Sequence, residues 1–322
     1  MATKKKLPKC IIGHTGFADE KGLPDTQNHA AAVNLPLQKV GIREFEHPAF
    51  VMGGTTQGEP DVRSMLKEIP ADFSMYVDLD AKSKGISMSR LPRLLSELTY
   101  EGYNDLKSIL TRWTPQLQNV MNVWAKRILE SVPDATESYI KSRVKVPKWK
   151  ASPASGLRGV EYYETVWEVK RNAKGKMRYY LTLKVRYIST CPCSMHLSTH
   201  AQETLGVKRA NPHMQPSYAH VKVELDERTF LQDGFVHALI TLVEKTLVTI
   251  PYPMVKREDE QAIAVACGKH LMFCEDAARL LAKAVPTFIG IKDWSIVCNH
   301  DESIHSHFAT AVTWKGLKNG LR

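Results

Sequence analysis

The chain has 322 residues, 43% hydrophobic and 24% charged, an ordinary balance for a soluble protein with room for one large domain or two of usual size. No run of about 18 apolar residues is present to span a membrane, and the opening MATKKKLPK lacks the apolar segment of a secretory signal. The formal net charge of +10 favours anionic partners, but no dense Lys/Arg patch interleaves with aromatics, which points away from nucleic acid and toward a small phosphorylated ligand.

Residues 1–33 carry Gly, Asp and Asn without a period and read as an extended N-terminal arm. LPLQKVGIREFEHPAFV reads as a first strand pair and DFSMYVDLD as another strand. A helix is expected from about Pro92, because Leu91, Leu94, Leu95, Leu98, Leu106, Ile109 and Leu110 recur at three- and four-residue steps. A second helix covers about 115–131, and the Pro/Ser/Gly-rich VKVPKWKASPASGLRG is the candidate junction between modules at 34–150 and 151–322.

A hairpin follows, with VEYYETVWEVK and MRYYLTLKVRYIST flanking the turn RNAKGK. Leu181, Leu183, Val185 and Tyr187 share one face, and a strand that runs on puts Cys191 and Cys193 in step with them. AHVKVEL is a further strand. FLQDGFVHALITLVEKTL and LMFCEDAARLLAKAV are amphipathic helices, the second burying Phe273, Ala277, Leu280, Leu281 and Ala284. WSIVCNH and SHFATAVTW close the chain as a hairpin. Strand pairs alternating with helix pairs define an α+β fold with antiparallel sheets and helix pairs packed on one face. No Gly-rich phosphate loop of the dinucleotide or Walker type occurs.

The cysteines at 10, 191, 193, 267, 274 and 298 are too sparse for a secreted disulfide scaffold, so a reducing cytoplasm is expected. In STCPCS, a bridge between Cys191 and Cys193 would be strained across one residue. A thioredoxin-like pair would space its thiols by two. Buried structural thiols and a metal site both remain open. Thiolate, imidazole and carboxylate together suit zinc, iron or manganese with an open coordination position. His196 and His200 follow the thiols. Glu258, Asp259 and Glu260 cluster in VKREDEQ, Glu275 opens CEDAARLL, and His300, Asp301, Glu302, His305 and His307 crowd NHDESIHSH.

Taken in order, LPDTQN, LPLQKVGIREFEHPAFV, KGISMSRLPRLL, STCPCS, VKREDEQ, MFCEDAARLL and ESIHSHFATA resemble the GTP cyclohydrolase IB family, from about residue 23 to about 313. The resemblance implies tandem tunnelling-fold modules and a homotetramer with active sites between subunits. It also implies the conversion of GTP and water to 7,8-dihydroneopterin triphosphate and formate, the step that opens folate synthesis and, in many bacteria, queuosine-type deazapurine synthesis. Carried over by position, Cys191, His200 and Glu260 resemble the ligands of a divalent metal (manganese, iron(II) or zinc). Cys193 is similar to a second active-site thiol, and Glu275 to the carboxylate that anchors guanine. Glu302, His305 and His307 lie where the family acts on the ring, and Ser89 and Arg90 match a segment near the triphosphate.

Two departures stand out. Ser87 replaces a family histidine, and the segment after Cys191 is short, with residues 204–217 looking inserted, which makes His196 a competitor of His200. The 7-cyano-7-deazaguanine reductases of the same fold and a non-catalytic purine-binding module are the alternatives. The combination of CPC and ESIHSH argues against the reductase, and retention of the catalytic residue types argues against the binding module.

Overall fold

A computed structural model describes residues 27, 29–52, 66–105, 117–132 and 134–316. Among them β1 (Leu37–Met52), β2 (Leu66–Leu79), β3 (Glu137–Ala151), β4 (Arg158–Asn172), β5 (Met177–Thr190), β6 (Met214–Leu225), β7 (Ile291–Asp301) and β8 (Phe308–Trp314) form one sheet in chain order. Every neighbouring pair is antiparallel. The helices are α1 (Arg90–Asp105), α2 (Leu117–Ser131), α3 (Pro192–Leu205), α4 (Glu227–Leu231), α5 (Phe235–Leu247), α6 (Arg257–Lys269) and α7 (Cys274–Ala284). The α+β class with antiparallel strands is borne out.

Period-two alternation sets which face is covered. On β5, Tyr179, Leu181, Leu183, Val185 and Tyr187 are buried while Arg186 on the other face is exposed. The core lies between that face and the helices. Phe73 meets Trp124 of α2 edge-on with ring centres 5.6 Å apart, and Trp167 meets Phe230 of α4 at 5.5 Å. Cys298, Ala277 and Leu281 close the core under α7.

Several local expectations give way to the structure. LPLQKVGIREFEHPAFV is one strand, not two; a register irregularity between Ile42 and Phe45, with Glu44 at φ 56°, bends it as it crosses β2. The helix expected over 230–247 is broken into α4 and α5, because Gly234 takes the left-handed φ of 77° between them. Phe273, the N-cap of α7, and Leu280 within it are 39% and 43% exposed, so the buried stripe is narrower than the pattern indicated. The strand through Thr190 does not continue to Cys193: Pro192 opens α3, which turns the second thiol out of the sheet. Leu106, Ile109, Leu110 and most of the N-terminal arm lie outside the described residues.

The Pro/Ser/Gly-rich stretch lies inside an antiparallel pair: Ala151 faces Arg158 and residues 152–157 form the turn. Element order repeats instead across the turn at 173–176. Two strands, two helices and two strands run from β1 to β4, and the same frame with added helices runs from β5 to β8.

Candidate active site

The strand registers assign each candidate residue to an end of the sheet. Thr190 faces Met214, Ala151 faces Arg158, and Asp301 faces Phe308, so these positions share one end. The CPC turn, the β3–β4 turn and the ESIH loop therefore gather there. Met272 N–H donates to Thr190 O at 3.1 Å, which brings the start of α7, with Glu275, to the same end. Leu79, Glu137 and Met177 mark the opposite end.

Cys191 is the N-cap of α3, half-buried, with extended backbone (φ −68°, ψ 121°). Its N–H donates to His213 O at 3.3 Å, continuing the β5–β6 register by one pair. Cys191 and His213 are thus opposed one step beyond the Thr190–Met214 pair, a position at which antiparallel neighbours share a face. Cys193 is exposed in the first turn of α3.

His213 was missed in the sequence because it stands in the stretch that looks inserted. Its Nδ1 lies 2.7 Å from Gln215 Oε1 and 3.1 Å from Ser303 Oγ, and its backbone N–H donates to Ser194 Oγ at 3.1 Å. Gln215 Nε2 in turn donates to Glu302 Oε1 at 3.3 Å. These bonds tie the CPC turn to the ESIH loop. His305 and His307 are exposed on that loop, with their rings stacked at 5.1 Å and 16°.

Glu275 sits exposed in the first turn of α7, where the helix dipole favours a carboxylate. Its own backbone N–H and the Cys274 thiol, which donates to Oε2 at 3.2 Å, hold its carboxyl below the ordinary value. Behind it His300 is buried against Tyr187, with Nε2 and the hydroxyl 2.8 Å apart. Burial pushes the His300 imidazole down to about 4, with Glu275 opposing the shift.

The metal-ligand trio expected from the sequence does not converge in one chain. His200 lies nine residues beyond the N-cap Cys191, about 13 Å along the axis and on the far side of α3 at 100° per residue. His200 is exposed there, with Thr204 Oγ1 at 3.5 Å from its Nδ1 and donating to its carbonyl. Glu260 is exposed in the first turn of α6, beside Asp259, whose carboxylate accepts from Ala154 N, Ser155 N and Lys256 N at 2.8 Å each. Among the described residues no three His, Cys, Asp or Glu groups are arranged to hold an ion. Cys191 and His213 are joined through the backbone, Cys191 N–H to His213 O at 3.3 Å, which makes His213 a thiol-side imidazole candidate beside His200.

Ser89 and Arg90 follow β2 at the opposite end of the sheet. Arg90 borders a cavity of about 380 Å³ lined in part by Ser87, Asp78 and Asp134 as well. Arg90 donates to Ser131 O at 3.0 Å, and the Ser87 and Ser89 hydroxyls are 3.3 Å apart. With strands of 14 residues between, this cavity stands on the order of 40 Å from Cys191 in the same chain.

An α+β protein that collects thiols, imidazoles and carboxylates at one sheet end is equipped for acid–base hydrolytic chemistry. Residues 23–311 match the Type I GTP cyclohydrolase folE2 family, and the chain belongs to that family. The GTP cyclohydrolase FolE2 of Dinoroseobacter shibae is 33% identical over 93% of this chain and 76% of its own length. That of Paracoccus denitrificans is 31% identical over 91% of this chain and 84% of its own. Among solved structures, uricase from Arthrobacter globiformis is similar over 88% of this chain and 95% of that one, at 7% identity and a TM-score of 0.48.

Proposed function

We propose that the chain is a GTP cyclohydrolase of the IB type, converting GTP and water to formate and 7,8-dihydroneopterin triphosphate at the head of folate synthesis in the cytoplasm. The observation that carries this reading is that the segments bearing Cys191, Cys193, Glu275 and Glu302 lie at the same end of the sheet, in a chain matched to that family over 23–311. Glu275, set at a helix N-terminus, accepts the ring and exocyclic N–H groups of guanine; adenine offers a different donor pattern. C8 becomes electrophilic when N7 is protonated, and His305 or Cys193 supplies that proton. Glu302, tethered through Gln215, orients the attacking water beside the ring. A divalent ion (manganese, iron(II) or zinc) on Cys191 and His213 would supply Lewis-acid polarisation of the same water.

The opposite placement of Ser89 and Arg90 supports an assembly in which a second copy brings its triphosphate-binding segment to this chain's Cys191 end. A homotetramer of two-module chains, joined end to end in this manner, accounts for both clusters. Two variants, Cys191→Ala and Arg90→Ala, test the reading together. Each alone is expected to release little formate from GTP. Unfolded together and refolded as a mixture, they regain turnover through hybrid sites that hold one intact Cys191 and one intact Arg90. GTP left intact by the wild type under manganese, iron(II) and zinc would overturn the cyclohydrolase assignment. Wild-type turnover without recovery in the mixture would overturn the shared site.

A further inference from the structure

We infer that Gln215 is the positioning residue that sets the Glu302 carboxylate and couples it to the CPC turn, an inference that rests on the cyclohydrolase reading of this site. Gln215 is the second residue of β6, and its side chain is buried, 3% exposed, on the helix-covered face. A buried amide must place both its ends, since an unsatisfied donor or acceptor there costs about 1–3 kcal/mol. Its two ends reach two different segments of the site: Oε1 lies 2.7 Å from His213 Nδ1 and Nε2 lies 3.3 Å from Glu302 Oε1.

The proton inventory allows one arrangement when Glu302 is ionised. A carboxylate only accepts, so the amide NH2 must face Glu302. The amide oxygen then faces His213, so a neutral His213 ring carries its proton on Nδ1 and leaves Nε2 as the lone-pair nitrogen. Ser303 Oγ, at 3.1 Å from the same Nδ1, holds the ring from the loop side. One buried side chain thus decides both the direction of the Glu302 carboxylate and the tautomer of the imidazole opposite Cys191. The backbone of Gln215 is fixed by its pairing with Ser189 on β5, and the Ser189 and Ser217 hydroxyls bond each other at 2.8 Å on the neighbouring positions. Gln215 touches no substrate in this scheme and acts through Glu302 and His213.

Gln215→Glu keeps the volume and the acceptor for His213 but sets a carboxylate against Glu302 and turns it away. Gln215→Met keeps the volume and removes both bonds. In metal-loaded protein with GTP, both variants are expected to lower kcat by about 10- to 100-fold, as for loss of an outer partner of a reacting group, with KM for GTP within twofold. Thermal melting serves as the control for folding. The hydrogen-bonded His213 ring N–H gives a slowly exchanging proton resonance, expected to persist in Gln215→Glu and to vanish in Gln215→Met. Wild-type turnover with kcat of both variants within twofold, or with KM rising while kcat holds, overturns the positioning role alone. Absence of the ring N–H resonance from the wild type also overturns it. A wild type that shows the resonance but releases no formate under any of the three metals defeats the cyclohydrolase reading, and the positioning role falls with it.

Discussion

Replacing Glu244 with glutamine removes the carboxylate at the centre of a buried charge cluster behind the active-site end. The side chains of Glu244, Lys148 and Lys150 are 7%, 10% and 5% exposed. Glu244 accepts from Lys148 Nζ, from Lys150 Nζ at 3.0 Å and from the Tyr163 hydroxyl. Lys150 also bonds Pro251 O and lies 4.9 Å from the Tyr252 ring centre, so the cluster pins the segment that leads into α6. With glutamine in place the two ammonium groups face a neutral amide, and removing one partner of a buried pair costs about 3–5 kcal/mol. For a chain this long, at the low end of the size scaling, that is a melting point lower by about 6–10 °C.

The assay is thermal unfolding followed by circular dichroism at one fixed protein concentration. The triple change Glu244→Met, Lys148→Met, Lys150→Met should recover most of the loss, because a well-packed apolar replacement avoids the desolvation of all three charges. Burial alone would push the Glu244 carboxyl up, but Lys150, Lys148 and the bonds from Lys148 and Tyr163 outweigh it and hold it below its ordinary 4.5. A depressed carboxyl contributes stability above its unfolded value and loses it as pH falls through the folded one. The gap between wild type and Glu244→Gln should therefore narrow below about pH 4.5. A Glu244→Gln protein melting within about 2 °C of the wild type at pH 7 would refute the argument, by showing that the lysines reach water once their partner is gone.

His213→Ala should strip bound manganese, iron(II) or zinc during gel filtration while His200→Ala retains it, read by metal analysis per chain; the reverse result would restore His200 as the ligand. Under brief iodoacetamide treatment of the native protein, mass spectrometry should find Cys193 alkylated well ahead of Cys274 and Cys298. Both of those are buried, and burial is the leading cause that pushes each thiol up to about 12. Gly290, at φ 92°, leaves no room for a Cβ beside Thr229, so Gly290→Ala should cost about 1–3 kcal/mol in a denaturant titration, and a neutral result would mean that the turn before β7 relaxes freely. Because burial pushes His300 down to about 4, its protonation destabilises the fold as pH drops below about 6.5; the melting point should fall from there toward pH 4, and less steeply in His300→Gln.

Much of the architecture is carried by local periodicity. Leu181, Leu183, Val185 and Tyr187 alternate with Thr182, Lys184 and Arg186, and a pleated strand has no other way to bury the first set and wet the second. The ends of β4 and β5 follow from the Asn172–Lys176 turn, where Gly175 takes a φ of 79°. The residue types of the site were equally legible, since CPC, CEDA and ESIHSH are dense in groups that hold protons or metals. Periodicity did not reveal that Gly234 divides α4 from α5, nor that Phe273 at the N-cap of α7 and Leu280 within it are exposed, because those outcomes depend on what packs beside each helix.

Chain order alone determined the class of fold, the run of strands and helices, and the chemical kinds of residue in play. Tertiary structure alone decided which of them meet. Cys191 and His213 are 22 positions apart and become neighbours through the β5–β6 register, a long-range pairing that no window of local sequence encodes. His200, much nearer in sequence, is carried away because Pro192 starts a helix and every residue of it adds 1.5 Å and 100°. Ser89 and Arg90 stand at the far end of the sheet for a similar reason. A strand advances about 3.3 Å per residue, so the two ends of one chain's sheet are held apart by its own hydrogen-bonded length.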